Sequence, residues 1–358
     1  MRKSILKYFD LIRILTSILI GIIVTICIIF IVSDEPEISI HSLFLGPIFS
    51  KSRFGSFIET ASVILFCGIA VAIPFTAGQF NLGAEGALFI GATAGTAVAI
   101  STKMPPYLHI PLVLMAAGAA GALWGLLPGI LKAKWNVNEL VTSLMLNYVA
   151  YYIGLYVINY HFRDKAAGFL VSYKLPETTW LSQFVPGTRI HTGIFISLIF
   201  AIIAYLGLFH TRLGYEIRTC GSNIEFARYG GLNIFKVIVI TSVIGGFVAG
   251  IGGMSEVMGI YRRFNWNTQP GYGWDGVVVA IIGRNNPLLI ILASLFLAYL
   301  RVGGGMLNLL SDIPTEMVSV IQAIIILLIT AEAFLSEWKN KIIVKEAKSK
   351  EKKDECLD

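Results

Sequence analysis

From Leu11 to Leu335 one pattern recurs: a run of about twenty apolar residues, then a short break holding the polar and charged ones. About twenty helical residues cross a hydrocarbon core of about 30 Å, and inside it each backbone amide and carbonyl has to find its partner within the segment. A chain built this way folds as an all-α polytopic transmembrane bundle. The runs fall at 11–32, 58–76, 84–102, 109–131, 137–160, 191–209, 236–259, 286–305 and 316–335, and a shorter stretch at 273–283 brings the expected number of spans to about ten. With 56% hydrophobic and 14% charged residues the chain lies outside the range of soluble domains, so its net charge of +6 speaks to orientation in a bilayer and not to nucleic acid.

Ten crossings place both termini on one side. The tail after residue 335 is rich in lysine (Lys339, Lys341, Lys345, Lys348), and the positive-inside rule makes that side the cytoplasm. The expected organisation is a cytoplasmic N-terminus at 1–10, a transmembrane domain at 11–335 and a basic cytoplasmic tail at 336–358, in a multi-pass protein of the cytoplasmic membrane. Lys132, Lys134 and the 210–236 loop fall inside; segments 33–57 and 161–190 fall outside. The first run is too long for a signal-peptide core and is read as a retained span. Glycines four apart (Gly91 and Gly95; Gly121, Gly125 and Gly129; Gly246 and Gly250) predict close backbone crossings, which lipid-embedded helices use in place of hydrophobic burial.

Polar groups break the apolar pattern in three places, each expensive at membrane depth unless it faces protein or water. Between Pro74 and Gly91, the residues Gly78, Gln79, Asn81, Gly83 and Glu85 predict a broken helix. A second break is expected at 271–287, where Trp274 and Asp275 open a short apolar stretch that ends in Arg284, Asn285 and Asn286. Interrupted segments in both halves point to a translocation path. The third place is the start of the fifth span: Glu139, Ser143 and Asn147 share a helical face with Asn138 beside them, a stripe that suits a hydrated cavity and interhelical hydrogen bonding equally. Glu59 and Glu256, near span ends, are read as interfacial carboxylates in reach of water.

The 210–236 loop is long for a connection between packed helices. It carries a short helix of its own, with Ser222 and Asn223 as N-cap candidates, Glu225 in the first turn, Arg228 near the end, and a stop at Gly230 and Gly231. Its sequence GYEIRTCGSNIEFARYGGLN at 214–233 resembles the cytoplasmic loop of ABC importer permeases of the ribose and nucleoside group. FNLGAEGALFIGA at 80–92, NELVTSLMLNY at 138–148 and GRNNP at 283–287 resemble three further motifs of the nucleoside branch. Leu82 and Ala87 stand where many relatives have Ile and Gln.

The resemblance covers roughly 55–335. It implies a permease of about ten spans that pairs with a second permease in a heterodimer, with cytoplasmic ATP-binding subunits and with an extracytoplasmic solute-binding protein, and that carries a nucleoside or simple sugar. Transferred to this chain, it assigns ATPase docking to Gly214, Arg218, Gly221, Asn223, Glu225, Ala227, Arg228 and Gly231. The solute path is assigned to Phe80, Asn81, Glu85, Asn138, Glu139, Ser143, Asn147, Trp274 and Asp275.

No GxxxxGK[ST] loop occurs, so no cofactor is expected on this chain and ATP is hydrolysed by the partner. The five histidines and four cysteines show no metal-ligand spacing, and no enzymatic activity is expected. The alternative is an ion- or proton-coupled secondary transporter that uses Glu85, Glu139 or Asp275 as its coupling group.

Overall fold

The computed structural model describes residues 23–330, and its secondary structure is helical apart from two isolated β-bridges among those residues. The helices are α1 (Ile23–Val32), α2 (Pro36–Phe44), α3 (Lys51–Thr76), α4 (Ala84–Ser101), α5 (Pro106–Trp135), α6 (Glu139–His161) and α7 (Gly193–His210). There follow α8 (Arg212–Ser222), α9 (Ile224–Tyr229), α10 (Ile234–Glu256, continued by a π-turn Val257–Tyr261), α11 (Tyr272–Ile282), α12 (Pro287–Leu310) and α13 (Thr315–Thr330). Seven of them, α3 to α7, α10 with its π-turn, and α12, are long and apolar enough to span a bilayer.

The expected count of about ten is therefore higher than the described helices bear out, for two physical reasons. The first and last predicted spans, 11–32 and 316–335, extend past the described residues, as do the N-terminus at 1–10 and the tail at 336–358. The short stretch at 273–283 forms the eleven-residue α11, about 16 Å long at 1.5 Å per residue, half of what a crossing needs.

Residues 47–302 form one compact unit. At its centre is α3, with 83% of its apolar window buried, against 22% for the peripheral α7. The predicted glycine crossings are present. A Cβ on Gly121 would run into the carbonyl of Gly246, and one on Gly250 into that of Ala117, so α5 and α10 meet backbone to backbone. Short polar side chains start the helices: Ser50 Oγ accepts from Arg53 N (3.3 Å), Asn138 Oδ1 from Leu140 N (3.0 Å) and Asn233 Oδ1 from Lys236 N (3.0 Å). The 162–192 segment is folded on itself, with Val171, Leu175 and Leu181 buried. His191 packs against Gly193 and Gly259, and burial pulls its pKa down to about 4.

The other unit takes in, among the described residues, 23–46 and 303–330. There Asp312 accepts from Ser33 Oγ (2.6 Å) and Asp34 N (2.7 Å), and these donors hold its carboxyl below the usual carboxylate range. The carbonyl of Leu43 rests on Gly303.

Candidate functional site: two broken helices and a helical loop

Pro74 and the left-handed Gly78 (φ +76°) end α3 at Thr76, and α4 begins only at Ala84. Residues 77–83 bridge the gap, and side chains of neighbouring helices hold the freed backbone. Glu139 Oε1 accepts from Phe80 N (3.1 Å), Ser143 Oγ from Leu82 N (3.0 Å) and Asn147 Oδ1 from Gly86 N (2.9 Å), while Asn147 Nδ2 donates to the carbonyl of Leu82 (3.0 Å). Asn81 closes its own turn onto Gly83 N (2.8 Å). Gln79, on the other side, donates to Thr241 Oγ1 (2.6 Å) and accepts from Ser242 Oγ (3.1 Å) on α10. Of the two readings open for the α6 stripe, these bonds are those of a latch. Lys132 pairs with Glu139 at 2.9 Å and balances its charge.

The second break begins where the π-turn ends. Residues 262–271 return alongside α6: the carbonyl of Asn267 accepts from Tyr151 Oη (2.7 Å), and Gln269 Nε2 donates to the carbonyl of Asn147 (3.1 Å). At Gly271 (φ +81°) the chain turns into α11, and the first amides of that helix meet Glu85, whose Oε1 accepts from Gly271 N (2.7 Å) and Oε2 from Gly273 N (2.5 Å). Glu85 thus joins the two breaks. Arg301 of α12 pairs with Asp275, donates to the carbonyl of Pro270 (2.7 Å) and lies over the Tyr272 ring at 4.4 Å.

Seven of the nine residues assigned to the path (Phe80, Asn81, Glu85, Glu139, Ser143, Asn147 and Asp275) come together around these breaks. Asn138 caps α6, and Trp274 lies beside Asp275 with its ring half-exposed. Behind the loop, Asn81, Trp124, Ser143 and Ser242 border a cavity of about 20 Å³, room for one water. Sequence reasoning placed Glu59 and Glu256 in reach of water; both are buried, and Glu256 accepts from Tyr272 Oη at 3.2 Å. The reason is the returning 262–271 segment and α11, which cover a helix end that the linear sequence leaves at the surface. Arg301, which organises the second break, escaped notice because it stands alone inside an apolar run.

The 211–233 loop folds as two helices. Thr211 Oγ1 starts α8 by accepting from Gly214 N (3.1 Å), and Asn223, as expected, starts α9 by accepting from Phe226 N (3.0 Å). Gly214 and Ala227 are buried, Gly221 is exposed on one side and lies against Thr76 on the other, and Arg218 donates to the carbonyl of Leu208 and lies over the Phe209 ring. Glu225 and Arg228 form an exposed pair at 3.2 Å, and α9 stops at the left-handed Gly231. Beside them Phe226 and Tyr229 are exposed, the latter at 89%, an aromatic knob that the motif did not single out although two aromatics in a six-residue helix within a polar loop could have signalled it. A Cβ on Gly221 would strike the carbonyl of Thr76, and one on Gly78 would sit 3.3 Å from Gly221 Cα, so α8 abuts the first break directly.

A multi-span bundle with two interrupted helices joined at one carboxylate, and a protruding helical loop seated on one of the interruptions, is the architecture of a membrane permease. The chain belongs to the family of branched-chain amino acid transport system permease components, which it matches over residues 54–330. It is 35% identical over 311 residues to the glucose ABC transporter permease protein TsgB13 of Haloferax volcanii, covering 84% of this chain and 82% of that one. It is 33% identical over 308 residues to the guanosine ABC transporter permease protein NupP of Bacillus subtilis (85% and 88%). To the nucleoside ABC transporter permease protein NupB of Lactococcus lactis subsp. cremoris it is 27% identical over 332 residues (89% and 90%). No solved structure matches. The protein is a permease subunit of an ABC importer, a class that works with ATP-binding and substrate-binding partners.

Proposed function

We propose that this chain forms one half of a heterodimeric membrane pathway that imports a nucleoside or a simple sugar, with the 211–233 loop on the cytoplasmic side as the seat of the ATP-binding subunit. The observation that carries the reading is the junction of Gly221 with Thr76 and Gly78, because it couples a protruding helix to a latched break in the membrane. A partner that grips Phe226, Tyr229 and the Glu225–Arg228 pair would move α8, and α8 cannot move without displacing the end of α3 and the 77–83 loop. The substrate class rests on the relatives, named for glucose, guanosine and nucleosides.

The ion-coupled alternative loses support from the same bonds. Glu85 is committed to two amides, Glu139 to Lys132 and Phe80, and Asp275 to Arg301, which leaves each candidate coupling carboxylate engaged. Transport driven by ATP in the partner needs no proton-carrying group on this chain.

Co-purification with the ATP-binding subunit tests the docking surface. Glu225→Arg with Arg228→Glu, and separately Phe226→Asp with Tyr229→Asp, are expected to release the partner while the permease still elutes as a folded species from detergent. Retention of a full complex by both double variants would place docking elsewhere.

A further inference from the structure

The α6 helix has two faces of different chemistry. The inward face carries the latch. On the other side Tyr148, Tyr152, Tyr156 and Tyr160 follow one another at intervals of four, all exposed, from 57% to 77%, with the exposed apolar side chains of Val141, Met145 and Val149 among them. The neighbouring peripheral helices set the expectation for a lipid-facing surface: along its membrane-spanning length α5 exposes Leu112, Met115, Leu123 and Leu127, and α7 exposes residues such as Phe195, Ile199 and Ile203. None of those side chains has a polar atom that hydrocarbon would strand, whereas each tyrosine has a hydroxyl.

An aromatic belt does not account for the pattern, because belts sit at the two bilayer interfaces. At 1.5 Å per residue Tyr148 lies about 14 Å from the Glu139 end of the helix, and Tyr152 about 14 Å from the His161 end, close to the middle of the crossing. A hydroxyl stranded in hydrocarbon loses its hydrogen bonds to water without replacement, and two at mid-depth on one face would be a heavy load. The latch residues, meanwhile, are committed to backbone groups, and the cavity behind them has room for one water, too little for a nucleoside or a sugar.

We infer that the tyrosine face of α6 is the wall of the aqueous solute path, and that its rings and hydroxyls are successive weak contacts for a ring-shaped, hydroxyl-bearing solute. The inference rests on the permease reading above and deepens it by naming the wall. Phenol rings offer a flat apolar face to a base or to the C–H face of a sugar, and their hydroxyls both donate and accept. Four similar rungs bind weakly and evenly, which favours passage over capture. The wall is also mechanically placed: the helix that carries it is bonded through Glu139, Ser143 and Asn147 to the loop that α8 abuts.

Water access along α6 tests this in membranes that contain the complete transporter. Single cysteines are placed at Tyr148 and Tyr152, with Ile199→Cys and Leu123→Cys as lipid-facing references, and labelling by a membrane-impermeant, charged thiol reagent is measured above the wild-type background. A thiol in hydrocarbon stays protonated and inert, so the α6 positions are expected to react at least about tenfold faster than the references. Reaction at the reference rate would overturn the proposal, since the face would then be sealed by lipid or by a dry subunit contact. In parallel, Tyr152→Leu is expected to cut import at least about fivefold and Tyr152→Phe to retain part of it, because the ring alone supplies part of the contact. Unchanged import in the Leu variant would count against the wall. If the wild-type complex imports neither nucleoside nor hexose, the functional reading fails, and the labelling pattern still decides the wall because water access does not depend on the cargo.

Discussion

The 77–83 loop is held mainly by uncharged or charge-balanced side chains of one neighbour, α6, with Gln79 as a tie to α10. The 262–271 segment and α11 are held from several sides, by Glu85 of α4, by the ring hydroxyl of Tyr151 on α6, by the Gln269 bond to the α6 backbone and by Arg301 of α12. The first break can travel with α6, since a displacement of that helix carries most of its hydrogen-bond partners along. The second is tied across three helices, and shifting any one of them breaks a bond. Gly221 touches the first break alone, and Glu85, with Tyr151 and Gln269, is where the first break and α6 are tied to the second.

Removing that joint should have the largest effect. Glu85→Ala orphans the amides of Gly271 and Gly273, and at about 1–3 kcal/mol for each buried unpaired donor the expected destabilisation is about 2–6 kcal/mol. It should appear as a lower thermal midpoint in detergent and as loss of import, with Glu85→Gln intermediate because an amide oxygen still accepts. A midpoint like that of wild type would mean that the two breaks are not joined there.

Asn147→Ala acts on the first break alone, freeing the amide of Gly86 and the carbonyl of Leu82. The expected cost is about 2–3 kcal/mol. Its sharper signature is uncoupling: ATP hydrolysis by the assembled complex should persist while import falls. Loss of both in equal measure would show the loop to be a static brace.

Arg301→Leu acts on the second break and should cost least, about 1–2 kcal/mol, because the Arg301–Asp275 pair keeps some contact with solvent and loses part of its strength to screening. Adding Asp275→Leu should restore most of the thermal midpoint by removing the stranded carboxylate. If the double variant is no more stable than the single one, the Pro270 carbonyl, and not Asp275, is the partner that counts.

Much of this was legible in the residues. Lipid leaves few backbone options, so runs of apolar residues identified the helices, and Gly78, Gly271 and the polar residues around them marked the breaks. Asn223 identified itself as a cap because its side chain acts within three residues of its own position. What escaped notice depended on distant contacts: Arg301 finds its partners 26 and 31 residues away, and the burial of Glu256 comes from a segment that follows it and folds back.

By itself, then, the sequence determined a helical membrane bundle, its two interruptions and the capped helix in the 211–233 loop, all properties set by local geometry and by the solvent the chain must satisfy. Only the tertiary structure decided which polar groups are used up and which are left. Glu139, Ser143 and Asn147 suit a cavity lining and interhelical bonding equally when read along α6, and hydrogen-bond the backbone of Phe80, Leu82 and Gly86 once that segment is packed against them. Four tyrosines that look like ordinary helix residues become an exposed polar face, because which side of α6 meets protein is settled by the packing of α4 against it and not by α6 alone.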